Sequence, residues 1–335
     1  MEKAPDRFEF VGRLRLLPIL FALCAALTAG GAPAQSDFPT RPIKLIVPVA
    51  PGAGADFLAR TVADKMSALL GRPIVVENKA GASGMIASEF VAKAPADGYT
   101  LLECYIVTHG TNPAVSKLPY DAVGDFAAVG MIAATPNVLV VNANKVPAKT
   151  LQEFVTAAKA RSGGMSYAST GVGSATHLTM EYLMQQAGIK LVQVPYKGAA
   201  PGMADLLGGQ VEAMFPSLIT ALPHIRDGRL RALGMASSKR FPLLPDVPTV
   251  AEMGYPAFNA SQWYGLCAPA ATPKPVIERL NKALNAVLAN AEVKAKLTDA
   301  AAEVEPMSPE QFADFIRSVI AKWTRLVKAA NLKLD

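Results

Sequence analysis

The feature that most constrains the fold is a short apolar run that leads through a glycine-rich turn into an amphipathic helix. Residues 42–49 are apolar at nearly every position, which is typical of a strand buried on both faces. Residues 56–70 then carry apolar side chains at helical spacing, and Gly71 supplies a helix stop. The alternation continues with strands over 73–77 and 99–107 and a helix over 83–93. This order predicts an α/β sheet.

The same alternation returns in the middle of the chain. It predicts helices over 150–160, 175–186 and 201–207 and strands over 165–169, 191–195, 211–215 and 230–236. The last third is mostly helical, with predicted helices over 275–289, 291–301 and 309–330. Residues 308–311, Ser-Pro-Glu-Gln, form a capping box at the start of the last one. Two α/β lobes built from one chain fit this order best.

Composition excludes several classes of protein. Three cysteines in 335 residues are too few for a disulfide-built scaffold. Three histidines lie far apart without metal-ligand spacing, so we expect no metal site. The net charge of +6 comes from basic residues spread singly along the chain, so we expect no nucleic-acid partner. A mild positive field would still favour a small anionic ligand.

The N-terminus is predicted to be an export signal. Arg13 and Arg15 precede an apolar stretch over 16–27, and residues 32–34 read Ala-Pro-Ala. This pattern is typical of a secretory signal peptide covering residues 1–34, with cleavage near Ala34 and release into the periplasm. A buried N-terminal helix is the alternative interpretation. Lipid attachment at Cys24 is not expected, because the large Leu23 precedes it.

Two glycine-rich turns are the candidate chemical sites, at residues 48–56 and 168–177. In each, glycines let the backbone turn sharply, and the helix that follows presents unpaired N–H groups and the positive end of its dipole. The second turn adds hydroxyl groups from Ser169, Thr170, Ser174 and Thr176. Each turn could hold one anionic oxygen group, which would suit a carboxylate or dicarboxylate bound between two lobes.

A dinucleotide site and a hydrolase site are the two alternatives for these turns. A dinucleotide fingerprint would need glycine at position 57, where Phe57 stands, so we expect no nucleotide cofactor. A hydrolase using His177 and a nearby serine stays open as an alternative. A single histidine one turn into a helix is, however, more often a packing or capping group.

The chain resembles a known family in many short motifs. They are RPIKLIVPVAPGAGADFLAR, PIVVENKAGASG, ADGYTLL, YASTGVGSATHL, VPYKGAAPGMADLLGGQVEAMF, LRALGMASSKRFPLLPDVPTVAEMG and the block Trp263–Ala270. In this order they are similar to the tripartite tricarboxylate transporter receptors, the Bug-type periplasmic solute-binding proteins. The resemblance covers essentially the whole chain after residue 34. It implies a type II periplasmic-binding-protein fold, in which two α/β lobes joined by two crossover strands enclose a carboxylate ligand.

The resemblance also implies a set of ligand-binding residues. The family's first ligand loop corresponds to Val49, Pro51, Gly52, Ala53, Gly54, Ala55 and Asp56, and its second to Ser169, Thr170, Gly171, Gly173, Ser174 and His177. Asp205 matches a position that can face the cleft, and His109 lies in the loop after the third strand. Val49 replaces the usual aromatic residue, and Ala53 and Ala55 interrupt the usual glycine-rich run, so the identity of the ligand is left open.

The resulting expectation is a binding protein without catalytic residues, metal or cofactor. Lobe one is predicted over 36–136 plus 263–335 and lobe two over 137–262, with crossovers near 137–141 and 263–268. We expect a monomer that delivers a small organic acid to membrane transporter subunits. The alternatives are a ligand-dependent partner of a signalling receptor and an exported hydrolase.

Cys104 and Cys267 fall in strands that are expected to be neighbours. A bond would require Cα atoms about 4.4–6.8 Å apart, and a one-residue register offset would turn the side chains to opposite faces. Because both cysteines sit in apolar runs, we expect two buried free thiols.

Overall fold

The computed structural model describes residue 1, residues 38–256 and residues 258–329. The predicted export signal therefore lies, apart from Met1, outside the described residues, as does Cys24. All of the described helices and strands belong to the compact unit that begins at Arg41. Within the described part of this unit, no helix is long and apolar enough to cross a membrane.

The first apolar run forms β1 (Ile43–Val47), an interior strand of a six-stranded sheet, as its burial pattern requires. The strand order is β11-β4-β10-β3-β1-β2. The other strands are β2 (Ile74–Asn78), β3 (Thr100–Tyr105), β4 (Phe126–Pro136), β10 (Ser261–Pro269) and β11 (Glu303–Val304). Strands β2 and β3 run parallel to β1, whereas β10 lies antiparallel between β3 and β4. The carboxyl ends of β1, β2 and β3 thus share one edge, where the first turn begins.

The helices of the first sheet cover its apolar faces. They are α1 (Gly54–Leu70), α2 (Met85–Ala92), α3 (Asn112–Val115), α8 (Lys274–Ala289), α9 (Ala291–Asp299) and α10 (Pro309–Ala329). The predicted capping box of α10 is confirmed, because Ser308 Oγ accepts from Gln311 N at 3.2 Å and Gln311 Oε1 accepts from Ser308 N at 2.9 Å. Residues 107–111, predicted to be the end of a strand and a loop, form a wide helical turn instead.

The second sheet has five strands in the order β7-β6-β8-β5-β9. They are β5 (Val138–Asn142), β6 (Met165–Ser169), β7 (Leu191–Pro195), β8 (Ala213–Met214) and β9 (Leu230–Met235). Its helices are α4 (Leu151–Ala160), α5 (Ala175–Ala187), α6 (Ala199–Gly208) and α7 (Leu218–Arg226). Strand β6 is parallel to β7 and β8, so its carboxyl end also opens into a glycine-rich turn.

The chain passes between the sheets at two neighbouring places. Strand β4 ends at Pro136 and β5 begins at Val138, so Asn137 is the first crossing. The second crossing follows β9 and ends where β10 begins at Ser261. Ala236 N donates to Asn137 O at 2.8 Å, and Ala260 N donates to Ala236 O at 2.8 Å. Ala236, the residue directly after β9, is therefore hydrogen-bonded both to Asn137 in the first crossing and to Ala260 at the end of the second.

The expectation of two free thiols is wrong, because Cys104 and Cys267 form a disulfide. In the antiparallel pair β3 and β10, Cys104 lies opposite Gly265 and Cys267 opposite Leu102. The offset is two residues, so both side chains point to the same face of the sheet. Their Cα atoms are 5.9 Å apart, within the range that a disulfide needs.

Thiol counting tests the disulfide directly. In a Cys24→Ala chain unfolded without reductant, we expect no titratable thiol, and two after reduction. Adding Cys267→Ala to the Cys24→Ala chain is the control and should leave one titratable thiol, that of Cys104. The bond closes a sequence separation of 163 residues, so replacing both cysteines by alanine should lower the free energy of unfolding by about 2–5 kcal/mol. Two thiols without reductant would contradict the bond.

Candidate functional site

The first turn is held in shape by the buried carboxylate of Asp56. Its Oδ2 accepts from the backbone N–H of Gly52 at 2.9 Å, and its Oδ1 accepts from Asn78 Nδ2 at 2.9 Å and Arg60 Nε at 3.0 Å. Asn78 Nδ2 also donates to the carbonyl of Val49 at 3.0 Å. Gly52 has φ +82°, which favours glycine. The carboxylate thus joins both sides of the turn, and its oxygens are occupied within the protein.

These contacts determine the charge state of Asp56. Burial alone would raise the pKa of its carboxyl, but the hydrogen bonds from Arg60, Gly52 and Asn78 outweigh burial and hold the pKa below its ordinary value of 3.8. The Asp56 carboxylate is therefore ionised near neutral pH and paired with the Arg60 guanidinium. What remains for a ligand is the N-terminus of α1, because the N-cap residue Ala53 supplies no side-chain cap.

The second turn is built around a cluster of three hydroxyl groups. Thr176 Oγ1 accepts from the backbone N–H of Thr170 at 2.9 Å and lies 3.1 Å from Thr170 Oγ1 and 3.0 Å from Ser174 Oγ. Ser174 caps α5 by accepting from His177 N at 3.3 Å. Ser169 Oγ is buried and accepts from Gln193 Nε2 at 2.8 Å. Thr176 thus organises a turn that the sequence indicated only as rich in hydroxyls.

His177 stabilises the second turn through its ring. Its Nδ1 accepts from the backbone N–H of Gly173 at 3.0 Å, and its Nε2 lies 3.4 Å from Glu181 Oε1. Both ring nitrogens of His177 therefore have neighbours within the protein. The Ser174 hydroxyl accepts from the backbone N–H of His177 and makes no hydrogen bond to its ring. This geometry favours the capping interpretation of His177 over a role as a base for Ser174.

Each of the two turns lies against an element that belongs to the opposite sheet. A methyl group added at Gly54 in the first turn would lie 3.2 Å from Ile219 Cγ2, which belongs to α7 of the second sheet. A methyl group added at Gly173, where φ is +75°, would lie 3.2 Å from Val115 Cγ2, which belongs to α3 on the first sheet. Each turn therefore packs closely against an element of the other sheet. The cleft between the sheets is bounded by both turns.

Asp205 is linked to the second turn through Tyr196. Asp205 Oδ2 accepts from the Tyr196 hydroxyl at 2.6 Å, and Tyr196 N donates to Ser169 O at 2.9 Å. Burial, and then the Asp205 carboxylate, raise the pKa of Tyr196 to about 12, so the hydroxyl keeps its proton. Asp205 thus lies beside the second turn, with one oxygen occupied by Tyr196.

His109 is fully buried in an aromatic environment. Its ring contacts Phe126 edge-on at 4.6 Å and lies 6.2 Å from the Tyr120 ring, and its Nδ1 is 2.9 Å from Thr108 Oγ1. Burial lowers the pKa of His109 to about 3, so the ring is neutral. These ring and hydrogen-bond contacts of His109 lie within the first lobe's interior, and none of them joins it to either turn.

The structure thus brings the predicted residues into two opposed groups, with Asp205 beside the second and His109 apart. Four residues that shape this site were not predicted, namely Arg60, Asn78, Val115 and Ile219. Arg60 could have been found, because an acidic and a basic residue four apart on a helix are neighbours. The other three depend on contacts distant in sequence, for which no local pattern exists.

Comparisons with known proteins agree with this geometry. The family profile described as tripartite tricarboxylate transporter family receptor matches residues 58–332. The chain is 38% identical over 328 residues to protein BugT of Bordetella pertussis, covering 96% of this chain and 98% of BugT. An adipate-bound protein of R. palustris has a TM-score of 0.84 at 34% identity, covering 88% of this chain and 98% of that one. MatC from Rhodopseudomonas palustris with bound malate has a TM-score of 0.81 at 34% identity, covering 87% and 100%. The predicted two-lobed fold class and the family resemblance are confirmed.

The role of Asp56 can be tested by its dependence on pH. Asp56→Asn should lower the free energy of unfolding near pH 7 by about 1–3 kcal/mol, because a charged acceptor of three donors is lost. The folded pKa is depressed, so this contribution is present above the unfolded pKa and is lost as pH falls through the folded pKa. Urea unfolding at pH 7 and at a pH below 3.8 should show a smaller difference between the two chains at the lower pH.

The matched control is Asp64→Asn, an exposed position on the same helix, which should leave the unfolding free energy nearly unchanged at both pH values. If Asp56→Asn lowered the free energy of unfolding by the same amount at both pH values, the stabilising role of the ionised Asp56 carboxylate would be contradicted.

Proposed function

We propose, from the premise that this chain belongs to the tripartite tricarboxylate transporter receptor family, that it captures a small carboxylate or dicarboxylate in the cleft between its sheets. The observation that carries the proposal is that two glycine-rich turns, each followed by a helix N-terminus, each pack against an element of the other sheet. Helix N-termini favour negatively charged groups through free N–H donors and the helix dipole. Adipate and malate in the two structural relatives are dicarboxylates, which supports a ligand with one anionic group for each turn.

In the proposed complex the ligand contacts mainly backbone groups and hydroxyls. One carboxylate lies against residues 49–56, whose shape Asp56 maintains from behind. The other lies against residues 169–177, where Thr170 and Ser174 belong to the hydroxyl cluster. Asp205 acts through Tyr196, and His109 supports the first lobe without contacting the ligand. Asp56 is assigned this supporting role because both of its carboxylate oxygens already accept hydrogen bonds within the protein.

The same proposal covers the wider setting of the protein. Lobe one comprises residues 36–136 plus 263–335 and lobe two residues 137–262, and the lobes close on the ligand. The chain is exported, loses residues 1–34, works as a monomer in the periplasm and delivers its ligand to the membrane subunits of a transporter. It catalyses no reaction. The family is one of receptors, and the hydrogen bond from Gly173 occupies the ring nitrogen of His177 that a base would use.

A thermal-shift comparison tests the ligand class. Adipate and malate should each be tested against adipamide, which keeps the adipate carbon chain and lacks both charges. We expect at least one dicarboxylate to raise the melting temperature, because a ligand at a hundred times its Kd stabilises the folded state by about 2.7 kcal/mol. Glucose should have no effect. Stabilisation by sugars or metal ions alone would reject the proposal.

A pair of substitutions tests whether the turns close on the ligand. Gly54→Val should weaken dicarboxylate binding about tenfold or more, a loss of ~1.4 kcal/mol, because the new side chain meets Ile219. Adding Ile219→Ala to that variant should restore most of the affinity. Isothermal titration calorimetry measures both effects.

Gly208→Val is the matched control, since a Cβ there has no atom within 4 Å, and its affinity should equal that of the parent chain. If Gly54→Val bound normally, or if Ile219→Ala gave no recovery, the turns would not close on the ligand in the proposed way.

A further inference from the structure

A cavity of about 280 Å³ lies at the junction of the two sheets, separate from the two turns. Its wall includes Pro136 at the first crossing, residues 259–261 at the second, residues 237–239 after β9 and part of α10. None of the described residues 48–56 or 169–177 lines it. The volume is close to the lower limit for small-molecule sites. It therefore suits a ligand smaller than most drug molecules.

Aromatic side chains form one part of the cavity wall, beside polar and charged ones. Phe241, Trp263, Phe315 and Trp323 all line it. Trp263 and Trp323 are the two tryptophans of the chain, and they are only 2% and 3% exposed. Aromatic faces and edges pack well against a flat apolar ring. The walls thus favour a planar ligand over a flexible polar one.

A single half-buried ammonium group gives the cavity its charge preference. Lys322 lines the cavity from α10, and its Nζ donates to the carbonyl oxygen of Asn259 at 2.7 Å. Among the described residues no carboxylate pairs with it, and burial lowers its pKa. An ammonium has three donors, of which one is used here. A half-buried charge without a counter-ion is unfavourable, and an anionic ligand group would offset that cost.

The acidic residues of the wall leave Lys322 available. Glu303 is 3.6 Å from the ammonium of Lys239, which also lines the cavity. Burial, with a smaller contribution from Glu303, raises the pKa of the Glu305 carboxyl. Among the described residues, neither Glu303 nor Glu305 forms an ion pair with Lys322. The Lys322 ammonium thus keeps two N–H donors for an anion.

We propose that this cavity binds a small arene carboxylate, with the carboxylate on Lys322 and the ring against the aromatic walls. The cavity shares no lining residue with the two turns. A ligand here would therefore bind together with a ligand in the cleft, without competing. The joint binding of two ligands rests on the proposed function, whereas the arene carboxylate site in the cavity does not.

Tryptophan fluorescence tests the site, because both tryptophans line the cavity. Titration of the full chain with benzoate should give a saturable change in emission. Lys322→Met should raise the apparent Kd about tenfold or more, the cost of losing a charged hydrogen bond. Lys328→Met, an exposed position on the same helix, is the matched control and should leave the Kd unchanged. Benzyl alcohol, which keeps the ring and lacks the charge, should bind at least tenfold more weakly.

A second variant fills the cavity without changing its charge. Ser238→Phe adds a ring from an exposed wall residue and should weaken benzoate binding while the melting temperature stays that of the parent chain. Saturating adipate should not raise the benzoate Kd. No saturable change, a normal Kd in Lys322→Met, or competition by adipate would each overturn the proposal. A chain that binds benzoate in this way but no dicarboxylate would reject only the cleft function.

Discussion

The cleft depends on one buried amide, that of Asn137, where the chain first passes between the sheets. Asn137 is 1% exposed, and its side chain accepts from Gln262 Nε2 at 2.9 Å and donates to Thr179 Oγ1 at 3.2 Å. A buried amide left without these partners would be costly, so both contacts are strongly favoured. Gln262 lies in the returning strand and Thr179 in α5, the helix that follows the second turn. One residue thus joins both crossings to the element that carries half of the proposed ligand site.

Much of the sheet structure could be predicted from sequence, because its strands are short and continuously apolar. The strands over 165–169 and 191–195 match the structure to the residue. The longest strand, Phe126–Pro136, was not predicted. Its sequence, FAAVGMIAATP, is rich in alanine and glycine, which have low strand propensity. It forms a strand because β10 pairs along its length and α8 and α10 pack against it. Tertiary contacts therefore override its local preference.

The two glycine-rich turns could also be predicted, but the contacts of their charged and ring-bearing residues could not. Glycine-rich turns between a strand and a helix have a local pattern, so both were identified. The resemblance implied that Asp56 and His177 bind the ligand. Their polar atoms are instead turned toward Arg60, Asn78, Gly173 and Glu181. Asn78 lies 22 residues from Asp56, and no spacing rule connects the two. Sequence patterns locate a turn more readily than they show which side chains hold it in place.

The charges near the turns suggest how such a cleft would attract an anion. The ionised carboxylate of Asp56 is compensated by the adjacent Arg60 guanidinium, and the His177 ring contacts the N–H of Gly173 and the carboxylate of Glu181. Neither turn therefore presents an uncompensated charged side chain among the residues that define it. The attraction must come from backbone N–H groups, hydroxyls and two helix dipoles. Such donors recognise the carboxylate groups themselves and place few demands on the carbon skeleton between them. Discrimination among acids of different length then depends on the separation of the turns, which the two crossings at Asn137 and Ala260 determine.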